Sequence, residues 1–449
     1  MKNILRFLSI LTLHLLCAAS HAGEKRPNIL FLFSDDQRPD TIAALGNKHI
    51  QTPALDSLVA SGTTMTRTYC MGSYDGAVCV PSRAMLLSGR TLYRLDQFLK
   101  QAPTWPQFFG KAGYVTFGTG KWHNSPDSLK RSFQQTRSIF MGGMGHPTQL
   151  NTSDKEAPAG EKEHSVKRFA DAAIGFISTQ KGETPWLCYV AFNAPHDPRI
   201  APKEFHERYE KNPPPLPPNF LPDHPFDNGE LKVRDEKLAA NPRTEAEIRK
   251  HLADYYACIT YMDFQIGRIL EALKASAQWE NTIIIFSSDH GLAIGSHGLM
   301  GKQNVYEHSM GAPLVVCGPG IQRDKKSDAF VYLLDIFPTL GELCSVSGPP
   351  ASEGLSFARV LKGEATSARP YAFLSYKQMQ RAINDGRWKL ITYVVKGEQT
   401  TQLFDLSADP CEQKNLASEP QHAGELARML ELLQKAKKEF GDEGKATLN

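Results

Sequence analysis

Four short polar stretches in this 449-residue chain carry side chains able to do metal, acid–base or anion-binding chemistry. Asp35 and Asp36 stand side by side, Asp289 is followed by His290, Lys121 and His123 share the stretch GKWH, and His196 lies in NAPHDPR. Adjacent carboxylates repel unless a cation sits between them. Asp35, Asp36 and Asp289 therefore point to a divalent metal held mainly by oxygen, which favours calcium or magnesium. His290 pulls the other way, because imidazole is at home on zinc. A two-zinc arrangement of the phosphatase kind would need a second histidine-bearing set, typically Asp-x-x-x-His, and no Asp here has a His four residues later. One oxygen-rich site is the expectation. A fifth stretch, CVPSRAMLLSGR from Cys79 to Arg90, sets a single cysteine immediately before an apolar helical pattern.

The elements that must position these residues are legible beside them. NILFLF (28–33) runs into Asp35-Asp36, YVTFGT (114–119) into Lys121 and His123, WLCYVAF (186–192) into His196, and TIIIFSS (282–288) into Asp289-His290. PLVVCG (313–318) is a further apolar run, and helical patterns such as TPALDSLVASG, TWPQFFGKAG and the long 245–276 segment lie between the runs. Near-continuous apolar strands alternating with helices predict an α/β fold, a large, mostly parallel central sheet flanked by helices. Ligands of such sheets gather beyond the carboxyl ends of the strands. The joint pattern thus delivers three acidic residues, three histidines and a lysine to one rim. The proline-rich segment 211–237 lacks periodicity and reads as a long surface loop. Beyond residues 345–370, short strand patterns with turns and a helix in ELARMLELLQKAKKEF predict a small C-terminal antiparallel sheet with one helix.

Composition bounds the rest. A chain 41% hydrophobic and 22% charged, with net charge +3, is an ordinary globular protein with no basic run pointing to nucleic acid or a membrane surface. MKNILRF, the apolar LSILTLHLLCAA and the small residues Ser20 and Ala22 make an export signal with cleavage before Gly23. That run contains His14 and is too short for a bilayer-spanning anchor, so a periplasmic, extracellular or lumenal protein is expected. The expected organisation is a signal peptide at 1–22, a catalytic domain at 23–345 and a small α+β domain at 346–449. Seven cysteines remain after cleavage, an odd number that marks one as special.

At this point the motifs become specific. CVPSRAMLLSG resembles the Cys-x-Pro-Ser-Arg-x-x-x-x-Ser/Thr-Gly signature of the type I sulfatases, in the alkaline phosphatase superfamily, and GYVTFGTGKWH resembles their second signature. Asp35-Asp36, Asp289-His290 and Lys302 after GLMG follow in the family's order, and the resemblance runs from about residue 27 to LFDLSADPCEQKNLA at 403–417. The resemblance implies that Cys79 is converted to formylglycine by a formylglycine-generating enzyme, leaving six cysteines whose pairing the sequence leaves open. A hydrated aldehyde offers two hydroxyls on one carbon, one to attack sulfur and one to expel sulfate. A helix N-terminus at residue 79 would favour the anion.

By matched position, the resemblance implies a calcium site made by Asp35, Asp36, Asp289, His290 and residue 79. Arg83 would brace residue 79, Lys121 and Lys302 would hold sulfate oxygens, His123 would take a proton during sulfate release, and His196 would meet the leaving-group oxygen. His297 and His308, in GSHG and YEHS, fall outside this set. The cluster Arg234-Asp235-Glu236 reads as solvated rather than as a sugar-binding group. AVCVPSR, the Asp-His pair and PKEFHERYE are similar to the iduronate-2-sulfatase and choline-sulfatase branch, so a sulfated carbohydrate, first a 2-O-sulfated uronate unit, is the expected substrate. The alternatives are a choline-sulfatase-type enzyme for a small molecule, and a phosphodiesterase or phosphonate monoester hydrolase of the same superfamily. A non-catalytic carbohydrate-binding relative should have lost Cys79, Lys121 or the aspartates.

Overall fold

The computed structural model describes residues 25–153, 163–346 and 352–442, so the expected export signal at 1–22 lies outside the described residues. An eight-stranded sheet forms the centre, in the order Gln135–Phe140, Val115–Lys121, Trp186–Pro195, Asn28–Asp35, Thr282–Ser288, Leu314–Cys317, Gly62–Tyr69, Lys325–Tyr332. Leu314–Cys317 runs antiparallel to both of its neighbours, and the other pairings are parallel. The expected mostly parallel sheet is therefore present. Its central strand, NILFLFSD, is buried along its whole length, as a strand covered on both faces must be.

Alternate residues of that strand feed two separate cores. Ile29, Phe31 and Phe33 face the side that carries the Cys79–Ser88 helix, while Leu30 and Leu32 face the Ser165–Thr179 and Glu245–Ala275 helices. The long helix starts at Glu245 because Thr244 caps it, its side chain accepting the Glu247 N–H at 3.3 Å. Three outer strands, Gly62–Tyr69, Gln135–Phe140 and Lys325–Tyr332, go beyond the sequence reading. In GTTMTRTY, QTRSIF and KKSDAFVY polar or charged residues break up or precede the apolar ones, so they lack the near-continuous apolar run of a buried strand.

A second sheet has the order Glu398–Asp405, Trp388–Val395, Gln380–Asn384, Ala372–Tyr376, Gly72–Ser73. The first four strands are antiparallel and are packed by the Ala423–Phe440 helix. The two-residue strand Gly72–Ser73 pairs parallel to Ala372–Tyr376 and fixes the chain just ahead of Cys79. Gly72 has φ 126°, and a Cβ there would lie 1.7 Å from the Ser375 carbonyl oxygen, so only glycine permits this junction. No described helix is long and apolar enough to cross a membrane.

Candidate active site

The strand ends converge as their sequence order requires. Asp35 closes the central strand, and Asp36 follows with φ 66°, a left-handed backbone that a non-glycine residue adopts only when its surroundings hold it there. Several bonds do so. The Tyr255 hydroxyl donates to the Asp36 carbonyl at 2.7 Å and accepts the Arg38 N–H at 2.8 Å. The Asp36 N–H donates to Asp289 Oδ1 at 3.0 Å, and the Gln37 N–H to Ser288 Oγ at 3.0 Å. This corner therefore links the two neighbouring strands that end in acidic residues.

Cys79 is the first residue of the Cys79–Ser88 helix and is buried. Its Sγ lies 3.1 Å from Lys302 Nζ, 3.3 Å from His290 Nε2 and 3.7 Å from Asp36 Oδ1. Burial pushes the thiol well above its ordinary range even though Lys302 and Lys121 pull it down. One turn along, the Arg83 guanidinium reaches Asp289 Oδ2 at 3.2 Å, Asp35 Oδ1 at 3.3 Å and the Lys121 carbonyl at 3.2 Å. Ser82 donates to the Asp289 carbonyl at 2.7 Å. The helix thus presents residue 79 and locks two of the aspartates in place.

Lys121 Nζ pairs with Asp35 Oδ2 at 2.5 Å, and Lys302 Nζ with Asp36 Oδ1 and Oδ2 at 2.7 and 3.0 Å. Burial raises the carboxyls of Asp35 and Asp36, but Lys121 and Arg83 at the first, and His196 and Lys302 at the second, outweigh it and hold both well below the usual range. Asp289 is displaced upward, by burial and by the neighbouring Asp35. His123 has φ 63° and an Nδ1 that is buried without a hydrogen-bond partner. Burial, with Lys121 and Arg83 beside it, lowers its pKa to about 3, so the ring is neutral at neutral pH. Gly143 lies against it; a Cβ there would come within 2.7 Å of His123 Nε2. His196 bonds through Nδ1 to the Asp197 carbonyl at 2.8 Å and sets Nε2 3.7 Å from Asp36 Oδ2.

The residues expected at the site are therefore brought together, while His297 and His308 lie in a separate cluster. Ligand atoms of Asp36, Cys79, Asp289 and His290 all fall within 4.8 Å of one another, a donor set that fits one divalent cation. Asp35 stands beside it, its Oδ1 lacking a hydrogen bond. Three carboxylates (Asp35, Asp36, Asp289) face three fixed cations (Arg83, Lys121, Lys302), a formal balance of zero. A divalent ion would leave the site doubly positive, suited to an anion.

Sequence reading missed the residues behind this rim. Glu236 is buried, accepting the Met300 N–H at 2.9 Å and the Gly301 N–H at 2.8 Å, and it pairs with Arg243 at 2.5 Å. It thereby fixes the loop that carries Lys302, and the solvated reading is corrected for Glu236, while Arg234 is exposed. Asp235 accepts from Gln303 at 2.8 Å, and Arg234 pairs with Asp197 beside His196. Only Ser82 had a signal, its place in the CVPSR motif; Tyr255 reads as one more core residue of a long helix. Among the described residues no cysteine is disulfide-bonded.

The Sulfatase family profile matches residues 27–346, and that of N-sulphoglucosamine sulphohydrolase, C-terminal, matches residues 295–439. The chain is 27% identical to a protein named Sulfatase from Formosa agariphila, over 91% of this chain and 87% of that one. It is also 27% identical to the Choline-sulfatase of Rhizobium meliloti, over 88% of this chain and 83% of that one. Among solved structures, one bound to its substrate D-glucosamine-2-N,6-O-disulfate superposes with a TM-score of 0.79 at 22% identity, over 93% of this chain and 99% of that one. The phosphonate monoester hydrolase of Agrobacterium radiobacter superposes with a TM-score of 0.76 at 22% identity, over 92% and 96%. Resting on a family match across most of the chain, the conclusion is that this protein belongs to the sulfatase family and is a sulfuric ester hydrolase.

Proposed function

We propose that this enzyme removes sulfate from a sulfated carbohydrate, with residue 79 as formylglycine and one calcium ion held by Asp35, Asp36, Asp289, His290 and residue 79. One observation carries the reading: the side chain of residue 79 meets the metal donors Asp36 and His290 and the ammonium of Lys302 at once. The sulfur of Cys79 stands where the oxygens of a hydrated aldehyde would be. Such a hydrate supplies one hydroxyl to attack sulfur and a second to expel sulfate. Calcium, when bound, lowers the hydroxyl's pKa and neutralises developing charge.

The chain's own residues supply the rest. Lys121 and Lys302, paired with Asp35 and Asp36 here, turn to the sulfate oxygens as charge-assisted donors. Neutral His123, with its unpartnered Nδ1, accepts the proton released at residue 79. His196, anchored through Nδ1, offers Nε2 to the leaving-group oxygen. The reading includes export after cleavage of residues 1–22 and modification of Cys79 by a formylglycine-generating enzyme.

The test is a release assay on a panel of sulfated glycans, with 2-O-sulfated uronate units compared directly with glucosamine sulfates, choline sulfate and a phosphonate monoester. A sulfated sugar should exceed the phosphonate in kcat/KM by at least about a hundredfold. Equal rates, or a preference for the phosphonate, would replace the reading with that of a phosphonate hydrolase. A preference for choline sulfate over every glycan would remove the carbohydrate.

A further inference from the structure

A second group of ligating side chains lies away from the rim. His297, from the loop that leads to Lys302, His308, from the short Glu307–Met310 helix, and Glu412, beyond the small sheet, are buried and put ligand atoms within 4.8 Å of one another. Both ring nitrogens of His308 are buried without a hydrogen-bond partner, an arrangement that costs free energy unless something accepts or ligates there. His308 and Glu412 open onto a cavity of about 240 Å³, which Asn219, Arg38, Asp40 and Cys411 also line.

We propose that His297, His308 and Glu412 form a second metal site, for zinc or another late first-row divalent ion, which clips the segment after the small sheet to the loop that carries Lys302. Two imidazoles on one zinc, each at ~2.1 Å, place their ring centroids roughly 5–6 Å apart. The His297 and His308 centroids are 5.5 Å apart. Two histidines and a carboxylate, with a fourth position facing a cavity, is a known zinc arrangement.

The local charges admit a cation. Lys389 pairs with Glu412 at 2.7 Å and Glu307 at 2.8 Å, and Arg38 pairs with Asp40 at 2.7 Å. Three carboxylates against two cations leave a formal charge of −1 once Glu412, whose carboxyl burial and Glu307 push up to about 7, gives up its proton. Burial keeps both imidazoles neutral, the form that ligates: His297 falls to about 3 and His308 well below its ordinary value. The oxygen-rich rim and this imidazole site would select different metals, the first hard and the second borderline.

The experiment uses the full mature protein, saturated with calcium and dialysed against zinc chloride, with bound metal counted by mass spectrometry. About one zinc per chain is expected in addition to calcium. His308→Gln should weaken it at least about tenfold, whereas Asp289→Asn, which disables the rim site, should leave it in place. Should His308→Gln fail to fold, cobalt on the unaltered protein gives a second readout, the visible bands of a four-coordinate nitrogen and oxygen site. No zinc retained at calcium saturation, no such bands, or zinc lost through Asp289→Asn but not His308→Gln would each overturn the proposal. None of these outcomes depends on the substrate or on residue 79.

Discussion

Glu236 touches no residue of the rim directly, yet its carboxylate should control turnover through Lys302. It accepts two backbone N–H groups, of Met300 and Gly301, in the turn just before Lys302. In Glu236→Gln one oxygen still accepts, while the amide NH2 faces the other N–H. Leaving that buried donor unsatisfied costs about 1–3 kcal/mol. Arg243 loses its charged partner, which for a buried pair costs about 3–5 kcal/mol, but keeps the carbonyls of Glu236, Ala239 and Ala240, so the rate is read only on variant protein shown to be folded. A shift of the turn by about 1 Å can cost roughly a hundredfold in rate. The ceiling is set by Lys302→Ala, which removes a charged donor to the sulfate and should cost about 10²–10³ in kcat. The assay is a double-mutant cycle on an aryl sulfate, with melting temperature measured alongside. If Glu236 acts only by placing Lys302, the double variant should be no slower than Lys302→Ala alone. A further tenfold loss in the double variant, or Glu236→Gln within about twofold of the parent, would refute the reasoning.

Asp36→Ala or Asp289→Ala should abolish turnover, and chelation should do so reversibly with calcium restoring it; full activity in a thoroughly metal-stripped sample would remove the metal from the reading. His196→Ala should harm alkyl and sugar sulfates far more than aryl sulfates, whose leaving group needs less protonation, and equal losses would deny it the leaving-group role. A base is lost as pH falls through its folded pKa, and that of His123 is lowered to about 3, so His123 should impose no acid limb on kcat, which contains the sulfate-release step, between about pH 5 and pH 8. A limb there that disappears in His123→Gln would contradict this. The tryptic peptide Thr68–Arg83, TYCMGSYDGAVCVPSR, holds two cysteines. It should take up one alkyl group and react once with a carbonyl reagent, in proportion to activity; full activity with a thiol at 79 would overturn the formylglycine mechanism.

What the sequence made legible follows from physical constraint. A strand buried on both faces must be apolar, so the polar residues at its carboxyl end stand out, and four such ends sufficed to place Asp35, Lys121, His196 and Asp289 together. Gly62–Tyr69 and Lys325–Tyr332 lie at the margin of the sheet, where mixed polarity is allowed and the signal fades. Gly72–Ser73 is too short for any period. Glu236 was hidden differently. It sits in an aperiodic loop beside other charges, and nothing in its neighbours tells a solvated carboxylate from one buried against two N–H groups and an arginine. Tyr255 looks like core because it is core; only its hydroxyl, bonded to the Asp36 carbonyl, belongs to the site.

If Cys79 becomes formylglycine as proposed, the electrostatics of the rim account for a cysteine at its centre that does no work as a thiol. Residue 79 lies beside two lysines, which lower a thiol's pKa, but burial and the nearby carboxylates dominate and keep the proton on sulfur. An unmodified Cys79 would therefore be a protonated, weak nucleophile. The same surroundings would suit the proposed neutral aldehyde hydrate, which carries no charge of its own and whose proton His123 would take during sulfate release. Lys121 and Lys302 pair with Asp35 and Asp36, a formal balance of zero across the rim. A divalent ion held by these carboxylates would give them a second cation and leave both ammonium groups free to meet a sulfate ester. Metal binding and sulfate binding should accordingly be cooperative: a non-hydrolysable sulfate analogue should bind calcium-loaded enzyme more tightly, and the equilibrium affinity for calcium should rise by the same factor when the analogue is present.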